Sequence, residues 1–274
     1  MLENILALWL APYKFRDYKP QKVTYKSVRK WFRQFEKQDR RTLRLLLSRL
    51  IYFNEKQIET FLVQQNEALL ARLKSLGIAP EKTIYLQFHE AGSSSPVMLN
   101  RIRDMALLQN RHCVFLDSSD VLTIHKKTNE LEEGAIVYVD DFVGTGHQFC
   151  EIRDQVKSSV VGSFAEFLLV PIICEEALYE LGKRDIQAYT GYIHSKAERP
   201  LHENSMILDR IIKERMRNLS KEINPRRGLG YKGTAVMVVL YNNSPNLVPA
   251  IFRGSPNQRP WKGLVPRTTD LATT

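Results

Sequence analysis

The sequence predicts an α/β protein with a mainly parallel sheet of five strands, an N-terminal helical extension and a C-terminal strand/hairpin addition. Three observations predict it. From residue 83 onward, short apolar runs alternate with helical patterns, the signature of a parallel sheet with crossover helices. The run Ile136-Val137-Tyr138-Val139 fits a central strand buried on both faces, and it ends in two carboxylates, a glycine turn and a new helix. Before residue 77, apolar residues recur at helical spacing instead.

Taken in order, a first helix from about Thr24 to Gln38 gathers Val28, Trp31, Phe32 and Phe35 on one face, with Lys30, Arg33 and Lys37 off it. Leu43, Leu46, Leu47 and Leu50 repeat the pattern in a second helix. A third runs from about Glu55 to Leu76, capped by Asn54 and ended by Gly77. Residues 1–76 are therefore expected to form the helical extension and 77–274 the α/β domain, with its addition from about 223. The expected strands are Thr83 to Phe88, Cys113 to Leu116, Ala135 to Val139, Glu166 to Ile173 and Ile186 to Ile193. Helices are expected at Ser95 to Gln109, His147 to Ser158, Glu175 to Lys183 and Asn204 to Glu222. The glycines of Gly228-Leu229-Gly230-Tyr231-Lys232-Gly233 fit G-x-G-x-x-G, but they follow no strand and precede one, Thr234 to Tyr241, which argues against a dinucleotide fingerprint. After the turn formers Asn242 to Asn246, Val248 to Phe252 is expected to pair back as a hairpin.

The net charge of +10 is unevenly placed. Residues 1–76 carry 16 basic and 7 acidic residues, residues 77–195 carry 10 and 17, and residues 196–274 carry 14 and 6. The basic N-terminal helices read either as a solvated face or as a surface for nucleic acid or a partner protein. The longest apolar runs, such as Phe167 to Cys174, are too short to cross a bilayer. Met1 to Trp9 carries Glu3 and no basic leader, so it does not read as a signal peptide. A cytoplasmic protein without membrane contact is expected. Cys113, Cys150 and Cys174 are odd in number and far apart, which indicates neither a disulfide framework nor a zinc site.

The order strand, acidic pair, glycine turn, helix has a chemical use. Gly144, Thr145, Gly146 and the start of the following helix, His147 and Gln148, aim backbone N–H groups at one spot beyond the strand's carboxyl end, and such a spot binds phosphate. Asp140 and Asp141 repel phosphate; they fit ribose hydroxyls or a magnesium ion beside it. The alternatives are a Walker B-like strand or a plain helix cap, and the chain has no G-x-x-x-x-G-K-[ST] loop to accompany the former.

Residues 136–148 resemble the phosphoribosyl diphosphate (PRPP) motif of type I phosphoribosyltransferases, and five strands with the acidic pair after the third agree with that family's core. The resemblance implies that Asp140 and Asp141 hold the ribose and magnesium, while Gly144 to Gln148 hold the 5-phosphate. It also implies a diphosphate loop after the first core strand, here His89-Glu90-Ala91-Gly92-Ser93-Ser94-Ser95-Pro96. Gly92 and Ser93 offer donors there, and Glu90 would need magnesium to tolerate diphosphate; an ordinary N-cap serine cluster is the other reading. A mobile loop is implied between the second and third strands, Ser118 to Gly134, where His125, Lys126 and Lys127 would reach the leaving diphosphate unless they are merely solvated. Gly144 stands where the family mostly has Thr or Ala, and Gln148 where it mostly has Thr or Ser. The tail, from Gly230-Tyr231 through Asn243-Ser244-Pro245-Asn246 to Trp261 and Val265-Pro266-Arg267, looks like that of phosphoribosyltransferase-like proteins of bacterial conflict and defence loci.

Two functions follow as expectations. One is a glycosyltransferase that moves the phosphoribosyl group of PRPP to a nitrogen nucleophile, or cleaves an N-glycosidic bond, in an antiviral defence setting. The other is a non-catalytic nucleotide-binding sensor or regulator. Oligomerisation is compatible with either.

Overall fold

The computed structural model describes residues 2–88, 95–104, 112–256 and 260–271. The chain divides into two compact units, one of residues 1–57 with 194–274 and the other of residues 58–193. In chain order the helices are α1 (Leu2–Lys14), α2 (Tyr25–Arg33), α3 (Arg40–Arg49), α4 (Glu55–Ser75), α5 (Ser95–Asp104), α6 (Val121–Leu131), α7 (His147–Ser159), α8 (Glu175–Gly182), α9 (Arg210–Ile223), α10 (Ala250–Arg253) and α11 (Thr268–Leu271). The strands are β1 (Ile51–Phe53), β2 (Thr83–Gln87), β3 (Val114–Asp117), β4 (Glu133–Val139), β5 (Phe142–Val143), β6 (Ser163–Cys174), β7 (Gln187–His194) and β8 (Val238–Leu240). Among the described residues, no helix is long and apolar enough to cross a membrane.

In the first unit, Thr24 starts α2 with a capping box: its hydroxyl accepts from the Ser27 N–H at 3.2 Å, and Ser27 Oγ accepts from the Thr24 N–H at 2.7 Å. The buried Trp31 side chain stacks on Phe252, 5.8 Å between centroids, and its indole N–H donates to the Ile251 carbonyl at 2.7 Å. The helices of residues 25–49 thus share one core with the C-terminal residues. β8 pairs in parallel with β1, Ile51 opposite Val238 and Phe53 opposite Leu240.

The expected hairpin at Val248 to Phe252 is replaced by a helical turn, α10. Pro249 has no N–H to give a ladder, so the segment coils, and β8 takes β1 as its partner. The glycine-rich stretch before β8 is a packing device. A Cβ on Gly230, whose φ is +79°, would lie 2.0 Å from the Leu247 carbonyl oxygen, so close approach demands glycine here.

The second unit holds the sheet. Its order is β3-β2-β4-β6, every pair parallel, with β7 also pairing with β6. All five strands expected from the sequence are present, and the two-residue β5 is an addition. β5 carries on the line of β4 along β6 in the same register, since Val139 faces Leu169 and Phe142 faces Ile172. Residues Ile136 to Val139 are fully buried, as a central parallel strand should be. From β2 the chain passes to β3 on one side and then to β4 on the other. This is a topological switch point, and its crevice opens at the carboxyl ends of β2 and β4.

Most of the expected mobile loop Ser118 to Gly134 is helix α6. Asp120 caps it by accepting from the Thr123 N–H at 3.1 Å, and Ile124 and Thr128 are buried against the sheet side of the unit. The segment is therefore the ordinary crossover helix between two parallel strands.

Candidate functional site

The site begins where β4 stops. Gln87 of β2 lies opposite Val139, so the ends of these two strands emerge side by side. The Asp140 N–H still donates to the Leu169 carbonyl at 3.3 Å, and Asp140 Oδ1 accepts from the Asp141 N–H at 2.9 Å. That bond turns the chain at the acidic pair. Asp141 is only 8% exposed, while Asp140 is half-buried.

After β5, Gly144 and Thr145 lead to Gly146, the N-cap of α7, at φ +77° in the left-handed region. The first intrahelical bond runs from the Cys150 N–H to the Gly146 carbonyl at 2.9 Å. The N–H groups of His147, Gln148 and Phe149 therefore lack helical acceptors, as in any first helical turn. Gly146, as the N-cap, has no side chain to cap them. Unpaired N–H groups at the positive end of a helix dipole are the chemistry that suits an anion. Phe149 holds the turn down, its ring edge-on to Phe88 at 5.5 Å and to Tyr138 at 5.4 Å. His147 and Gln148 are exposed and face outward.

A buried ion pair fixes α7 on the sheet. Arg153 Nε and Nη2 donate to Glu166 of β6, both at 2.7 Å, Lys157 adds a contact at 3.0 Å, and the Tyr138 hydroxyl donates at 3.1 Å. Burial alone would raise the Glu166 pKa, but the hydrogen bonds from Arg153 and Lys157 outweigh it and hold the carboxyl below its ordinary value. Burial, reinforced by the Glu166 charge, pushes the Tyr138 phenol well above its ordinary value.

The structure brings Asp140, Asp141, Gly144, Thr145, Gly146, His147 and Gln148 together at the switch point. Glu90, Gly92 and Ser93 lie outside the described residues. Lys126 and Lys127 are not at the turn. They sit on α6, where His125 Nδ1 is 3.2 Å from the Ser159 carbonyl and Thr128 Oγ1 accepts from the Val161 N–H at 3.1 Å. Both contacts are at the far end of α7, about 18 Å from its first turn at 1.5 Å per residue. Lys127 pairs instead with Glu130 at 2.7 Å. Their reading as diphosphate contacts is corrected accordingly.

Sequence reasoning missed Asp117. It ends β3 as Asp140 ends β4, and it accepts from the Gln87 amide at 2.7 Å and the Ser119 N–H at 2.8 Å, ordering the same edge of the sheet beside β2. The signal was available, since a strand that ends in a carboxylate occurs twice in the chain.

Magnesium fits this donor set in one way. Among the described residues no three His, Cys, Asp or Glu side chains gather into a metal cluster. Magnesium usually keeps its waters and takes one or two carboxylates plus substrate phosphates. The Asp140–Asp141 pair accords with an ion that arrives on a diphosphate.

A parallel sheet in this order, with the acidic pair and turn after its third long strand, defines a phosphoribosyltransferase-type α/β protein. The sequence matches the PRTase-CE family over residues 28–267, and the chain belongs to that family. Comparison with curated proteins gives no match. Among solved structures the chain is similar to an orotate phosphoribosyltransferase from Aeropyrum pernix, at 14% identity over 50% of this chain and 68% of that one, with a TM-score of 0.32. It is also similar to a hypoxanthine phosphoribosyltransferase from Staphylococcus aureus, at 14% identity over 51% of this chain and 74% of that one, TM-score 0.29. A protein from Aquifex aeolicus matches at 12% identity over 42% of this chain, with a TM-score of 0.30, and the chain spans 56% of its length.

Proposed function

We propose that the switch-point site binds the ribose 5-phosphate part of PRPP, or of a nucleotide, with magnesium. The observation that carries this reading is the side-by-side placement of the Asp140–Asp141 pair and the open first turn of α7 at the carboxyl end of a central parallel strand. The N–H groups of His147 to Phe149 take the 5-phosphate, and the carboxylates take the ribose hydroxyls. Magnesium, when bound, neutralises charge on the diphosphate. As an enzyme the protein acts as a glycosyltransferase: the bond from the ribose C1 to diphosphate breaks, its electron pair leaves with diphosphate, and a nitrogen lone pair forms the new bond to C1. The carboxylates stabilise the positive charge that develops at C1. The resemblance of the tail to proteins of defence loci supports an antiviral setting.

A second reading, a non-catalytic nucleotide-binding module, is favoured by the position of Lys126 and Lys127. The two lysines read as partners of the leaving diphosphate sit by the far end of α7. Incubation with PRPP, magnesium and a panel of bases and nucleotides separates the two readings. Diphosphate release supports the enzyme, while binding in calorimetry without release supports the module. Absence of binding to PRPP and to every nucleotide tested would remove both.

Two variants test the site itself. Asp141→Asn keeps the shape of the pair but removes a charge; it is expected to weaken PRPP binding in calorimetry by at least roughly tenfold, as the loss of one charged hydrogen bond implies. Unchanged affinity would sink the assignment of the pair. Gln148→Ala is expected to weaken ribose 5-phosphate binding by up to roughly tenfold, since the backbone donors remain. Gln148→Thr should restore or improve it, because a short hydroxyl reaches the anion at a smaller entropy cost. The reverse order of these two variants would mean that the turn does not hold phosphate in this way.

A further inference from the structure

The first compact unit carries a face that the phosphoribosyl site does not use. On α2, Lys26, Arg29, Lys30 and Arg33 recur at i, i+3, i+4 and i+7, so all four share one side of the helix. All are exposed and none makes an ion pair within the described residues. The opposite side of α2 buries Val28 and Trp31, so the cationic stripe points away from the core. On α1, Leu6, Trp9, Leu10 and Tyr13 recur at the same spacing and are exposed, while Ala7 and Ala11, and Phe15 just after the helix, are buried. Trp9 and Tyr13 are 65% and 68% exposed, and Tyr25 at the start of α2 is 60% exposed. The two stripes are continuous. The Trp9 and Tyr25 rings lie 5.9 Å apart, tilted by 56°, and Tyr25 neighbours Arg29 one helical turn on.

We propose that this shared face of α1 and α2 binds single-stranded nucleic acid. The uncompensated cations supply phosphate contacts, and the exposed rings supply stacking platforms for unpaired bases. Charge complementarity argues against a two-fold contact with a second copy of this chain, because it would bring two cationic stripes together. Trp9 and Tyr25 keep 65% and 60% of their surface exposed, enough for planar groups to stack on them. A cationic field alone would hold duplex and strand alike, so the rings predict a preference for the strand.

The test is fluorescence anisotropy on the full chain, using labelled oligouridylate, oligothymidylate and a duplex, each about 16 nucleotides long to exceed one binding site. Single strands should bind more tightly than duplex, and the two strand arms show whether RNA or DNA is preferred. Trp9→Ala and Tyr25→Ala should each weaken strand binding by roughly tenfold and leave the salt dependence unchanged; Trp9→Phe should keep it. Lys26→Gln combined with Arg29→Gln should flatten the slope of log affinity against log salt by about 1.4, at about 0.7 per lost contact. All four positions are exposed, so these variants should keep the wild-type Tm. Equal binding of duplex and strand, or ring variants with wild-type affinity, would overturn the proposal. Binding to phosphatidylserine vesicles that Trp9→Ala abolishes, with strand binding intact, would assign the face to a lipid surface instead.

Discussion

Arg153→Ala should destabilise the unit of residues 58–193 by about 3–5 kcal/mol, the usual cost of stranding a buried charge. The Glu166 side chain is 7% exposed, and two of its hydrogen bonds come from this one guanidinium at 2.7 Å each. Lys157, itself largely exposed, remains at 3.0 Å and keeps the loss toward the lower end of that range. Replacing both partners, Arg153→Met with Glu166→Met, should recover most of the loss, since no charge is then left without a partner. The measurement is the urea midpoint at constant slope. The pair also fixes an acid limit. Because the Glu166 carboxyl titrates below its ordinary 4.5, the stability it contributes is complete above that pH and is lost as pH falls through the lowered value. The wild type should therefore lose more stability below pH 4.5 than Arg153→Ala does. Equal acid sensitivity of the two proteins would show that Glu166 is not the group responsible.

The legible parts of the sequence were those governed by local pattern. The run Ile136 to Val139, its two carboxylates and the glycine turn gave strand, acidic pair and helix start where the structure has them, because burial on both faces and helix capping leave a short-range signature. Asn54 and Gly77 bracket α4 for the same reason: Asn54 exchanges capping bonds with Gln57 at 2.9 and 3.0 Å, and Gly77 takes φ +71°.

Two misreadings have different causes. In α6, Asp120 followed by Val121, Ile124, Thr128 and Leu131 carries a cap and a helical period, but the family's loop was read in place of that pattern. In Val248 to Phe252 the apolar run was read as a strand although Pro249 sits within it. The parallel pairing of Ile51 to Phe53 with Val238 to Leu240 leaves no local trace, since three residues are too few for a period and the partners are far apart in the chain. The same holds for Trp31 on Phe252, which is why residues 25–49 read as an appendage yet share a core with the C-terminal residues.

Gly146→Ala should reduce both stability and ligand binding, and Gly77→Ala separates the two effects. At φ +77° an L side chain costs about 1–2 kcal/mol in backbone strain. At Gly146 the added Cβ would also stand 3.2 Å from Ala177 Cα and 3.3 Å from Glu180 Cβ, both on α8, so α8 or the turn must give by a few tenths of an ångström as well. A shift or peptide flip there turns the N–H groups of His147 to Phe149 away from their common focus. The expected result is a loss of about 1–2 kcal/mol in stability, and of more than about tenfold in PRPP affinity if even one charged hydrogen bond is lost. Gly77 has nearly the same backbone, φ +71°, but nothing lies within 4 Å of a Cβ there, and it precedes the amino end of β2 at the opposite edge of the sheet. Gly77→Ala should therefore show a similar backbone cost with wild-type binding. If Gly146→Ala binds PRPP as well as Gly77→Ala does, the first turn of α7 is not the phosphate site, and the acidic pair would have to hold the ligand without it.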